Sequence, residues 1–279
     1  MRVSLLTAAA TFAVVALPCT AQPVTGGGTR AAAPVRPAVR GMVQLPTGDY
    51  RPLYAAAGET RVHVASFAMD RTLVTRSDFL SFVIANAAWR RGNIRPVFAE
   101  ASYLGEWPSA TSAGAPAELQ RPATSVSWFA ARAFCASRGK RLPTVDEWEY
   151  AAAASDTERD AADDPLVRRA LLALYSTRAS AAWRDVGQTR PNVFGVQDLH
   201  ALVWEWTLDF NSVVVADDSR AIGSGQDARD HHLFCASSSI GATDASDYPA
   251  FSRYAVRAGL TARSTIAGVG FRCASDRAG

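Results

Sequence analysis

The 279-residue sequence predicts an α+β fold with little regular secondary structure. Three observations lead there. Polar residues suited to capping stand at Thr75, Ser127 and Thr144, each ahead of apolar residues at helical spacing. Residues 87–121 contain Trp, Pro and Gly without an apolar period and read as a long irregular segment. Beyond residue 190 the chain reads as short strands and turns, and there is no internal repeat.

The first segment stands apart from that fold. Met1–Ala21 reads as a secretory signal: Arg2 gives a positive start, Val3 to Leu17 is apolar, and Cys19-Thr20-Ala21 offers a small-x-small cleavage site. The apolar run is too short for a stable transmembrane helix, and no later stretch is apolar enough to span a membrane. A lipid anchor on Cys19 is the alternative, and Pro18 argues against it. Residues 22–41, rich in Pro, Gly and Ala, read as a disordered leader, and 42–279 as one domain. The expected location is the bacterial periplasm or the cell exterior. Lys140 is the only lysine among many arginines, as in GC-rich bacterial genomes. The totals of 29 Lys and Arg against 26 Asp and Glu give no basic footprint for nucleic acid. Removing the signal leaves Cys135, Cys235 and Cys273. An odd count in an oxidising compartment points to one disulfide plus one thiol with another role.

The helices follow in order. Thr75-Arg76-Ser77-Asp78 is a capping box, and Phe79, Phe82 and Val83 share the face of the helix it opens. Ser127 caps a second helix with Trp128, Ala131 and Cys135 in one stripe, closed by Gly139 at the position that favours left-handed geometry. Thr144-Val145-Asp146-Glu147 is another capping box, opening a helix that carries Trp148 and Tyr150. Asp164-Pro165 starts a fourth helix running through Tyr175.

The run from Val193 to Thr207 is the most informative. Trp204 and Trp206 flank Glu205 in an otherwise apolar stretch, and strand alternation separates the two rings from Val203, Glu205 and Thr207. A carboxylate fixed there needs a hydrogen-bonding partner or a cation.

This stretch is similar to the segment Asn-x-Phe-Gly-Leu-x-Asp-Met-x-Gly-Asn-Val-Trp-Glu-Trp of the formylglycine-generating enzyme family (sulfatase-modifying factors). Three further blocks resemble the family in order: Ser66–Asp70 with Val74-Thr75 and Phe79–Val83, then Pro122–Tyr150, then Gly270-Phe271-Arg272-Cys273-Ala274. The resemblance runs from about residue 42 to the end. It implies an elaborated α+β, C-type-lectin-like fold and a disulfide between Cys135 and Cys273. It also implies calcium on the Glu205 carboxylate and the backbone carbonyls of His200, Ala201 and Val203, where oxygen ligands suit the ion. Here Ala201-Leu202 replaces the usual Gly-Asn, and a Glu held by hydrogen bonds is the alternative. The fourth helix lies where the family often has another calcium loop.

The family's enzymes hold copper(I) between two cysteines five positions apart, a soft two-thiolate site. Cys235 resembles the first of them, but five positions on stands Ile240. Aligning instead from Arg253–Arg257, which resembles the family's arginine-rich strand, places Pro249 there. His231 and His232 precede Cys235 and make a mixed site for copper or iron the possible replacement, against a buried thiol behind a polar loop. Arg253, Arg257 and Arg272 are candidates for gripping a peptide or an anion, with internal ion pairing as the alternative. The expected function is a periplasmic oxygen-dependent oxidoreductase or maturation factor acting on a peptide or protein. The alternative is a non-catalytic accessory module serving a periplasmic protein partner. Relatives of both kinds resemble the chain, one a tailoring protein for a peptide siderophore and the other an accessory protein of copper nitrite reductase. Standard sulfatase modification is the least expected.

Overall fold

The computed structural model describes residues 41–54, 60–178, 184–211 and 242–276. The signal segment, the leader and the stretch holding His231, His232, Cys235 and Ile240 lie outside the described residues. The main sheet has three short antiparallel strands in the order β1–β4–β7: β1 is Met42–Leu45, β4 is Phe67–Asp70 and β7 is Ala274–Ser275. Its register sets Met42 against Asp70, Leu45 against Phe67, and Met69 against Ala274. A two-stranded antiparallel ribbon joins β2 (Gly48–Tyr50) to β3 (Val62–Val64), and β5 (Trp204–Glu205) runs parallel to β6 (Val269–Gly270). The α+β class and the low content of regular structure are those the sequence predicts.

The capping residues act as read. Helix α1 (Arg76–Ala85) opens on a reciprocal box between Thr75 and Asp78. Helix α2 (Trp128–Ser137) opens on Ser127, whose hydroxyl accepts from the Ala130 amide, and Gly139 just beyond it has a φ of 68°. Helix α3 (Val145–Ala152) opens on the Thr144–Glu147 box. Helix α4 covers Pro165–Arg178, with the Asp164 carboxylate accepting from the Leu166 amide at 2.8 Å. Replacing Thr144 by Ala is expected to cost about 1 kcal/mol, read as a lower denaturant midpoint with an unchanged slope. Residues 87–121 form turns and two single 3-10 turns, Ala87–Trp89 and Pro116–Glu118, as the missing period implies.

One expectation is corrected. The sequence beyond 190 reads as strands and turns, yet Tyr248–Ala258 is a helix, α5, capped by Asp247 with Pro249 in its first turn. The supposed arginine-rich strand is therefore helical. Its buried residues Ala250, Arg253, Tyr254 and Arg257 recur at helical spacing. Two of those four are arginines, so an apolar reading of the period cannot see the stripe.

The larger core cluster centres on Phe79, which is fully buried with its ring centroid 5.5–6.2 Å from those of Phe82, Phe134, Phe271 and Trp107. Burying one such ring contributes on the order of 2–3 kcal/mol. A second cluster packs α3 on the main sheet through Leu45, Phe67, Met69, Trp148 and Tyr150. Cys135 on α2 and Cys273 ahead of β7 form the expected disulfide, with a Cα–Cα distance of 5.6 Å. At Gly270 a Cβ would come within 3.0 Å of the Val203 side chain and 3.2 Å of the Ala123 carbonyl, so only glycine lets β6 lie this close to β5.

Candidate functional site

Glu205 has its partner, and the partner is a guanidinium. Both side chains are wholly buried. Arg272 donates from Nε to one Glu205 oxygen at 2.7 Å and from Nη2 to the other at 2.8 Å. Its remaining donors reach the carbonyls of Asp70, Arg71 and Gln197 at 3.0–3.2 Å. A pair this deep stands only because its hydrogen bonds are complete. It ties β5 to the segment between β6 and β7 and to the end of β4. A calcium ion at this carboxylate would lie beside a fixed positive charge. The ion pair engages both oxygens of the carboxylate. Among the described residues no three His, Cys, Asp or Glu side chains gather as metal ligands.

A second buried cluster forms where α5 crosses α3. Glu149 receives Arg253 through Nε and Nη2 at 2.6–3.1 Å and Arg257 through Nη1 at 2.5 Å. Burial alone would raise the Glu149 pKa. The charges and hydrogen bonds of Arg253 and Arg257 overcome that and hold it at about 2. Burial likewise opposes the charge on Arg253, and Glu149 reverses this, raising its pKa well above the usual value. Both guanidinium carbons lie over the Trp148 ring, 5.8 and 4.9 Å from its centroid. Tyr175 on α4 accepts from Arg253 at 3.4 Å and meets Nδ1 of His200 at 2.8 Å. The arginines read as candidates for gripping a substrate are thus buried and engaged with carboxylates of the fold. Glu149 was not among the sequence candidates. Its signal was there, since it sits between Trp148 and Tyr150 as Glu205 sits between Trp204 and Trp206.

Beside this cluster an open cleft of about 230 Å³ runs between α4 and residues 189–201, lined in part by Leu171, Leu174, Asn192, Asp198, His200 and Ala201. Asp198 has a φ of 66°, and its side chain accepts from the amides of Gly187 and Thr189. Nε2 of His200 lies 3.0 Å from the Ala152 carbonyl, and its ring meets Trp148 edge-on. The structure thus brings His200 and Ala201 together at this cleft, while Val203 and Glu205 turn into the core. Pro249 is buried in the first turn of α5, where a thiol would be required if that register held. Among the described residues no helix is long and apolar enough to cross a membrane.

Comparison with known proteins shows the family. Residues 29–277 match the family described as sulfatase-modifying factor enzyme 1-like domain. The chain is 30% identical over 291 aligned residues to the formylglycine-generating enzyme of Streptomyces coelicolor, covering 85% of this chain and 90% of that one. It is 31% identical over 178 residues to the inactive C-alpha-formylglycine-generating enzyme 2 of Bos taurus, covering 60% of this chain and 54% of that one. Among solved structures it is similar to PvdO from Pseudomonas aeruginosa, with a TM-score of 0.45, 18% identity, and coverage of 85% of this chain and 94% of that one. With four sequence blocks in order and a match over nearly the whole length, the chain belongs to the sulfatase-modifying factor family of formylglycine-generating-enzyme-like proteins.

Proposed function

We propose that this protein is an exported maturation factor of the family. It acts on a peptide or protein substrate through the single thiol of Cys235 and is not a sulfatase-modifying oxidase. One observation carries the reading. The sequence has four cysteines, and the disulfide takes Cys135 and Cys273. The remaining two, Cys19 and Cys235, stand far apart in the sequence, so no closely spaced pair is left for a two-thiolate copper(I) centre. Cys235 with His231 or His232 is the candidate set for a redox metal, copper or iron. The family also includes a relative named as inactive, and the loss proposed here is of the same kind.

A second reading is a non-catalytic accessory module. It is favoured by the burial of Arg253, Arg257 and Arg272, which are engaged inside the fold and are not presented to a ligand.

Copper(I) competition titration of the mature protein against Cys235→Ala separates the two readings. Tight binding lost in the variant is expected for the maturation factor, whereas equal weak binding would move the assignment to the accessory module. A cysteine-containing sulfatase peptide is expected to emerge unchanged by mass spectrometry. Its conversion to the aldehyde would overturn the departure from the family's standard reaction.

A further inference from the structure

Many arginines among the described residues meet a carboxylate. Arg51, Arg61, Arg121, Arg141 and Arg168 do so towards the surface, and Arg76, Arg253, Arg257 and Arg272 do so inside. Arg95 and Arg132 do not. Each has its guanidinium over an aromatic face, Arg95 over Phe98 at 5.7 Å and Arg132 over Trp128 at 5.3 Å. Both are exposed residues. The described structure gives neither a salt bridge nor a side-chain hydrogen bond.

The rings beneath them form one continuous, half-buried ladder. Trp89 packs on Phe98 at 5.8 Å, Phe98 on Phe129 at 5.3 Å, and Phe129 on Trp128 at 5.4 Å. Val97, next to Phe98, is 54% exposed. Glu100, the carboxylate nearest to Arg95 in sequence, is turned to the Thr265 amide.

We infer that this ladder is a docking surface for an acidic segment of a partner protein, one with carboxylates flanking an apolar side chain. A guanidinium held beside a ring, with no carboxylate partner of its own, keeps N–H donors that suit a bidentate grip on a carboxylate. Arg132 over Trp128, at one end of the aromatic strip, and Arg95 over Phe98, one ring in from the other end, set two cationic groups beside an apolar surface. Aromatic and Arg side chains are the types enriched at protein interfaces. The charge complement is therefore negative, and the strip between asks for an aliphatic or aromatic residue. This surface does not depend on Cys235, so Cys235→Ala leaves it intact whichever function holds.

The test uses the full mature chain, short fluorescein-labelled peptides alternating Glu with Leu, Gln with Leu, or Lys with Leu, and fluorescence anisotropy. The expected result is binding of the Glu–Leu peptide in preference to the other two, weakened by added salt and reduced roughly tenfold or more in Arg95→Glu/Arg132→Glu. Arg190→Glu, at a 90% exposed side chain elsewhere on the surface, is expected to bind as the wild type does. Equal loss in Arg190→Glu would reduce the effect to net charge and overturn the proposal, as would unchanged binding in the double variant. Binding to phosphatidylglycerol vesicles with none to the Glu–Leu peptide would overturn it in favour of an anionic lipid surface.

Discussion

Opening the Cys135–Cys273 bond is expected to lower stability by about 5 kcal/mol, since it closes a loop spanning 138 residues and the chain-entropy cost of the open loop returns on reduction. For a domain of this size that corresponds to a fall in Tm of roughly 10 °C or more. The bond joins α2, which carries the Phe134 side of the main core, to the residue that follows Arg272. Both cysteines are fully buried, so reduction requires partial opening of the fold. Denaturant titrations of the oxidised protein, the reduced protein and Cys135→Ala/Cys273→Ala check this. The reduced protein isolates the cross-link, and the double variant adds the small packing loss of two sulfurs. A difference under about 1 kcal/mol between oxidised and reduced protein would show that packing alone holds α2 against the main sheet.

The same contacts show why some of this fold is legible in the sequence and some is not. Caps are local, so Thr75, Ser127 and Thr144 announce their helices through residues three positions away. The need of Glu205 for a partner is legible from its apolar flanks. The identity of the partner is not, because Arg272 lies 67 residues along the chain and a calcium ion would satisfy the same requirement on paper. Helix α5 is misread because its buried face includes two charged residues. Their burial becomes intelligible only once Glu149 is known to lie opposite. A glutamate between two aromatics is the recoverable signal at both places, and at both a buried arginine meets it. Cys235 is singled out by resemblance and the two histidines by their place just before it, and the described residues include none of the three.

Replacing Glu149 by Gln is expected to destabilise the protein by roughly 3–5 kcal/mol, because Arg253 and Arg257 would remain buried with no counter-charge. The amide preserves shape and one acceptor, and the face of Trp148 offers both guanidinium groups only a modest attraction. Removing the whole set in Glu149→Leu/Arg253→Met/Arg257→Met is expected to recover most of the loss, since packed apolar side chains replace a buried ion cluster at little net cost. The wild type should also show the pair in its pH dependence. The folded-state pKa of about 2 lies below the ordinary 4.5, so Glu149 stabilises the fold above about pH 4.5. That contribution, about 3 kcal/mol, is lost as pH falls from there through 2. Asp244, also held at about 2, titrates in the same window but is common to both proteins, so the difference between wild type and Glu149→Gln cancels it. Denaturant midpoints should therefore differ most at neutral pH and converge towards pH 2. A gap that stays constant down to pH 2 would mean that the charge of Glu149 does not hold α5 against α3.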